Sequence, residues 1–197
     1  MIELLLPEVV NVLDLSGLDP GPLSLRNLVV QLLADELFRA RLLAYRLEQV
    51  GLSPAVPPIF LAIDEAHNFC PATGQAFGKA PLIRYVKEGR AADMSLAVAT
   101  QQPSALGFDL ISQCDVLVIH RLTAADDVKM VSRLASTYAS AIPAYLKGCV
   151  QPGVAVIVDD LEETMAVGRV RARTMYHGAE ALPGKSRPVG TSDHGAA

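Results

Sequence analysis

The sequence predicts an α/β fold, a mainly parallel sheet flanked by helices with a closing antiparallel strand pair. Three observations point there. Short, continuous apolar runs of the kind carried by buried parallel strands alternate with helix-length stretches. The last two apolar runs lie close together, as an antiparallel pair requires. No apolar run approaches the roughly 18 residues of a membrane span.

The elements follow in order. Residues 9–15 (VVNVLDL) read as a buried strand ending in the turn Ser16-Gly17. Residues 25–50 form a long amphipathic helix with Leu28, Leu32, Leu43 and Leu47 among its apolar positions, stopped by Gly51 and Pro54. Ile59–Ile63 is a second strand, and 68–80, with a proline and two glycines, is a loop. A helix over 81–90 has Pro81 in its first turn. Strands over 95–100 and 116–119 follow. A helix over 124–136 carries Asp126 and Asp127 early and Lys129 and Arg133 late, which suits the helix dipole. Residues 154–158 and 166–173 form the antiparallel pair. From Gly178 the composition turns to Gly, Pro, Ser and Ala, so one domain is expected over 1–178 and a flexible tail over 179–197.

Composition narrows the function. The 197 residues are 51% hydrophobic and 19% charged, which excludes a disordered chain. Seventeen basic against twenty-one acidic residues give a net charge of −4, which excludes a globally basic nucleic-acid binder but not a local patch. The N-terminus carries an acid where a signal peptide is basic. The odd, scattered set Cys70, Cys114 and Cys149 argues against a disulfide framework and for a reducing cytoplasm.

The chemistry concentrates in Pro58-Ile-Phe-Leu-Ala-Ile-Asp-Glu-Ala-His67, where an apolar strand runs straight into two acids. Strand carboxyl ends are where open parallel sheets bind ligands. Asp64 there suits Mg²⁺, which prefers oxygen ligands, and Glu65 suits an attacking water, the Walker B arrangement of nucleotide hydrolases. The alternative is a strand end whose acids cap the next helix. Gln101, in Ala99-Thr100-Gln101-Gln102-Pro103, is placed to sense a γ-phosphate or the water, or else simply ends a strand before Pro103. Arg90, in Lys87-Glu88-Gly89-Arg90, is either solvated or reaches a neighbouring subunit's site.

With EVVNVLDLSGLD, IFLAIDEAHNF, YVKEGRAADMSLAVATQQPSAL, ISQCDVLVIHRL and VGRVRARTMYHG in this order, the sequence resembles the HerA-like ATPases of the HerA/FtsK branch of RecA-like P-loop proteins. The resemblance implies ATP and Mg²⁺ as cofactors, double-stranded DNA as the track, a hexameric ring of identical subunits and, in some members, a nuclease such as NurA. It makes Asp64 the Walker B aspartate, Glu65 the catalytic glutamate, Arg90 the trans-acting finger of an EGR motif and Gln101 the glutamine of an ATQ motif. Arg121 then lies where the family is often basic, as a phosphate-facing or interface arginine, or else in a salt bridge to Asp126 or Asp127. Gln102 departs from the basic residue usual after the ATQ glutamine.

The larger departure is the phosphate loop, Gly-x-x-x-x-Gly-Lys-[Ser/Thr]. Gly78-Lys79 is followed by Ala80, and Gly184-Lys185-Ser186 lacks a correctly spaced upstream glycine. The resemblance puts this loop ahead of residue 9, so the chain reads as the C-terminal part of such a protein, a fold incomplete at its N-terminus. Two other functions stay open: a non-catalytic assembly subunit of the ring, and a fragment of a DEAH-box helicase, whose Ser-Ala-Thr and arginine-rich motifs are not found here. His67 and Cys70 have ligand-like spacing but no second pair for zinc. Lys79 in the Gly-containing loop, and Arg169, Arg171 and Arg173 alternating along a strand, are candidate DNA, interface or merely solvated cations.

Overall fold

The computed structural model describes residues 6, 8–54, 56–135, 140–148 and 151–171. Cys149, Arg173 and the expected tail lie outside the described residues.

Helix α1 (Leu25–Gln49) starts where Ser24 accepts the Asn27 N–H and ends in a Schellman turn. There Leu52 N–H bonds Leu47 O and Gly51 N–H bonds Glu48 O, with Gly51 at φ +79°, a conformation suited to glycine. Val30, Ala34, Leu37, Phe38, Arg41 and Ala44 form its buried stripe. Leu32 and Leu43 point the other way and are exposed.

Strands β1 (Ile59–Ile63) and β2 (Met94–Val98) pair in parallel, Ile59 opposite Met94 and Ile63 opposite Val98. Helix α2 (Lys79–Glu88) and a 3₁₀ turn (Gly89–Ala92) connect them. Helix α2 begins two residues earlier than the sequence suggests. The short helix α3 (Phe108–Ile111) leads to β3 (Val116–Ile119). Helices α4 (Ala125–Leu134) and α5 (Ile142–Gly148) follow, then β4 (Val154–Asp159) and β5 (Thr164–Arg169).

Two expectations are corrected. Residues 9–15 form no strand; Val10 and Val12 are 90% and 86% exposed, and only Leu15 packs on the core. Side chains compete with a strand ladder there, since Asn11 bonds the backbone of Leu6 and Val9, and Asp14 takes the Ser16 N–H. Strand β3 joins an antiparallel sheet of order β3-β4-β5 instead of extending the parallel one. The last hairpin is antiparallel as expected, but β5 ends at Arg169, so Arg171 falls beyond it.

Among the described residues, apolar burial falls in three clusters. One, with Ala66, Phe69, Cys70, Leu82, Leu106 and Leu110, lies beneath the C-terminal end of β1. A second, with Leu37, Phe38, Tyr85 and Met94, joins α1 to the start of β2. The third, with Ile119, Val131, Ile142 and Val156, packs α4 and α5 on the antiparallel sheet. Leu82→Ala empties a fully buried position and is expected to cost about 2–5 kcal/mol. Leu32→Ala, on the exposed face, should change stability by less than about 0.5 kcal/mol. Urea unfolding of both variants checks the contrast.

One buried cation ties α1 to the segment before β1 and to the turn before β2. The Arg41 side chain is 1% exposed; its Nε donates to Ala92 O at 2.9 Å, and its terminal nitrogens to Val56 O at 3.0 Å and Asp93 Oδ2 at 3.2 Å. It also grips both oxygens of Glu48, at 2.7 and 2.9 Å. These hydrogen bonds hold the Glu48 carboxyl below its ordinary value of 4.5. A depressed carboxyl pKa adds stability that is present above the ordinary value and lost as pH falls through the folded-state value. Acidification from pH 6 to pH 3 should therefore lower the urea midpoint more in the wild type than in Glu48→Gln; equal losses would contradict the pairing.

Candidate active site

Parallel pairing brings the C-terminal ends of β1 and β2 side by side, and the ladder continues one step beyond both strands. Ala99 N–H donates to Ile63 O, and Ala66 N–H to Ala99 O, each at 2.9 Å. That second bond crosses over Asp64 and Glu65 and folds them into a tight turn. Glu65 takes the left-handed conformation, φ 47° and ψ 49°, unusual for a residue with a side chain. Ala66 beneath it is fully buried, so the surroundings hold the turn.

The turn presents both carboxylates. Asp64 is exposed and spends Oδ1 on the Glu65 N–H at 2.9 Å, leaving its second oxygen for a cation. That suits Mg²⁺, which takes one or two carboxylates and keeps several waters. Among the described residues no group of three or more His, Cys, Asp or Glu could hold a metal ion by themselves. Glu65 Oε1 accepts from Gln101 Nε2 at 2.5 Å, and Oε2 from Gln101 N at 3.4 Å. The two residues the sequence singles out at neighbouring strand ends are thus in direct contact.

His67 completes the cluster. Its Nδ1 is 3.4 Å from Glu65 Oε2 and 2.9 Å from Thr100 Oγ1, and that hydroxyl also accepts the Gln102 N–H at 3.1 Å. The sequence singles out His67 for its ligand-like spacing to Cys70 and assigns Thr100 no role. The usable signal is the offset: a residue two beyond Glu65 in a tight turn points back toward it.

The loops beyond the strands are fastened to each other. Gly107 N–H donates to Cys70 O at 2.7 Å, Ala72 N–H to Ala105 O at 2.8 Å, and Pro71 bridges Leu106. Buried Asn27, at the start of α1, donates to Gly21 O at 2.8 Å and Asn68 O at 2.9 Å. Burial pushes the Cys70 and Cys114 thiols up, which makes them poor nucleophiles; Cys70 is a core residue and Cys114 is half-buried.

The other expected residues stand apart. Arg90 is exposed in the 3₁₀ turn before β2. Five-residue β2 therefore separates it from the acids by about 17 Å. Arg121 is exposed just beyond β3. Asp127, one of its expected partners, is buried and accepts the Ser104 N–H at 2.9 Å instead. Lys79 turns inward: its Nζ donates to Pro71 O at 2.8 Å and Gly74 O at 3.3 Å, closing its own loop. Arg169 bonds the Gln151 side chain.

No family model matches the chain. It is 35% identical over 74 residues to a probable helicase of Methanocaldococcus jannaschii, covering 38% of this chain and 14% of that protein. It is 30% identical over 76 residues to the same organism's probable DNA double-strand break repair helicase HerA, covering 39% and 15%. It is 25% identical over 193 residues to the DNA double-strand break repair helicase HerA of Pyrococcus furiosus, covering 86% of this chain and 34% of that protein. The chain thus spans about a third or less of these relatives.

Among solved structures, the genome packaging NTPase B204 of Sulfolobus turreted icosahedral virus 2 with AMPPCP superposes with a TM-score of 0.52 at 18% identity, over 60% of this chain and 55% of that one. The DNA-packaging ATPase B204 of Sulfolobus turreted icosahedral virus also gives 0.52 at 18% identity, over 71% and 62%. The chain is similar in sequence to parts of these helicases and shares its fold with these NTPases.

A Cβ at Gly107 would meet Cys70 Sγ at 3.0 Å and Cys70 O at 3.2 Å. Gly107→Ala gains about 0.4–1 kcal/mol from a stiffer unfolded chain but loses about 1–3 kcal/mol to overpacking. A net fall in melting temperature is expected, and an unchanged or raised value would show that the loops are not clamped at this point.

Proposed function

We propose that this chain supplies the Walker B half of an ATP-hydrolysing DNA motor of the HerA type. The observation that carries the reading is the Asp64-Glu65 turn at the end of β1, with Glu65 held by Gln101 from the end of β2. Asp64, through the oxygen not spent on the Glu65 N–H, would hold Mg²⁺, which would supply neutralisation of phosphate charge. Glu65 orients and deprotonates the attacking water, which requires its carboxylate to leave the Gln101 amide. Gln101, released, turns to the γ-phosphate or the water. His67 and Thr100 fix the side of the turn on which Glu65 lies.

The distance from Arg90 to the acids of its own chain supports action on a neighbour's site, which requires an oligomer. The reading takes that oligomer as a hexameric ring around double-stranded DNA, in the cytoplasm, with a NurA-like nuclease as a candidate partner. Among the described residues no helix is long and apolar enough to cross a membrane. Arg121, at the end of β3, is assigned to the phosphates or the subunit interface.

A phosphate loop must come from another segment, because the sequence has none. That absence favours a second reading, a non-catalytic assembly subunit. DNA-stimulated ATPase assays separate the two. The purified chain alone is expected to show no measurable hydrolysis. Joined to a segment carrying the loop, it should hydrolyse ATP, and Glu65→Gln should reduce turnover by about 10²–10⁴-fold, as loss of a general base does. Reconstituted activity that survives Glu65→Gln intact would favour the assembly subunit.

A further inference from the structure

Helix α1 carries two apolar stripes. One, running from Val30 to Ala44, is spent on the core. A surface helix ordinarily turns polar residues to its other side. Here Leu25, Leu32, Leu43 and, at the C-cap, Val50 stand there instead, each at least half exposed. At about 100° per residue, their mean direction lies nearly opposite the buried stripe.

The four belong to one repeat. Alternate steps of four and three residues from Leu25 pass through Val29, Leu32, Glu36 and Arg39, then Leu43, Arg46 and Val50. This is the heptad spacing of a helix seam that packs on another helix. Arg39 and Arg46 are exposed, and Val29 and Glu36 are half-buried. The repeat also reads alike in both directions. When two copies of α1 lie antiparallel with their centres matched, Leu25 of one copy meets Val50 of the other, and Leu32 meets Leu43. At the centre Glu36 meets Arg39 twice, once on each side of the twofold axis. Val29 meets Arg46, whose methylene stem covers it while the guanidinium reaches water. A parallel, in-register pair would set Arg39 on Arg39, Arg46 on Arg46 and Glu36 on Glu36, like charges at every polar layer. Charge and apolar pattern together select one orientation and one register.

We infer that the exposed face of α1 is a self-association surface whose occupant is a second copy of this chain, docked antiparallel about a twofold axis. The seam is about 37 Å long and about 10 Å wide. A footprint that small sits at the weak end of the interface range, so the dimer forms at high local concentration. Such a contact closes at two copies. It is thus separate from the head-to-tail contact by which a ring would set Arg90 on a neighbour. It needs neither nucleotide nor phosphate loop, and goes beyond the nucleotide-site reading.

The test is analytical ultracentrifugation of the full 197-residue chain at micromolar to millimolar concentrations. A monomer–dimer equilibrium is expected in that range. Glu36→Arg alone, or Arg39→Glu alone, puts like charges at both central layers and should raise the dissociation constant about tenfold or more. Mixing these two variants restores opposite charges at both layers, so the mixture should dimerise about as tightly as the wild type. The double variant Glu36→Arg/Arg39→Glu should do so on its own. Leu32→Asp should abolish the dimer while the far-ultraviolet circular dichroism stays that of the folded chain. A monomer at every concentration, or association that the single charge variants leave unchanged, would overturn the inference. So would a mixture that associates no more tightly than its components. Association that disappears once a loop-bearing segment is joined to the chain would also overturn it, by giving this face to that segment. Because no nucleotide is present, failure here leaves the Asp64-Glu65 reading standing, and failure of the Glu65→Gln assay leaves the dimer standing.

Discussion

The parallel pairing of β1 with β2, and above all the bond that continues past both strands from Ala66 N–H to Ala99 O, is the constraint on which the site depends. It turns the chain sharply enough that Glu65 takes a left-handed conformation, and it sets Glu65 against Gln101. Everything nearby serves that crossing. Asn27 pins the next turn at Asn68, Gly107 clamps Cys70, and Ala66 leaves no room for the turn to relax. At the other end of β2, Arg41 fixes Ala92 and Asp93 and thereby the turn that carries Arg90.

Much of this was legible in the sequence because it is local. A five-residue apolar run ending in two acids has few interpretations, and β1, β2 and the long helix α1 fall where their patterns put them. The contact of Glu65 with Gln101 was implicit in one further step, that neighbouring parallel strands end together. What was not legible depends on partners distant in sequence. Residues 9–15 have strand-like composition, yet a strand exists only where an edge pairs it. An apolar run such as Val116–Ile119 suits a parallel or an antiparallel neighbour equally well, and pairing with β4 decided the matter. Lys79 shows the same limit, since no pattern reveals that its ammonium closes a loop through the Pro71 and Gly74 carbonyls.

Unpaired strand edges with apolar faces are costly in water, and folded proteins ordinarily cover, charge or shorten them. Here residues of β2 and β3 line one cleft.

The most direct measurement is an experimental structure of this chain joined to a loop-bearing segment and bound to a non-hydrolysable ATP analogue with Mg²⁺. The account predicts the phosphates at the shared ends of β1 and β2, Asp64 on the metal side, and Glu65 parted from Gln101 to face a water. Nucleotide bound elsewhere, or Glu65 still paired to Gln101 with no water or phosphate within reach of either, would contradict it.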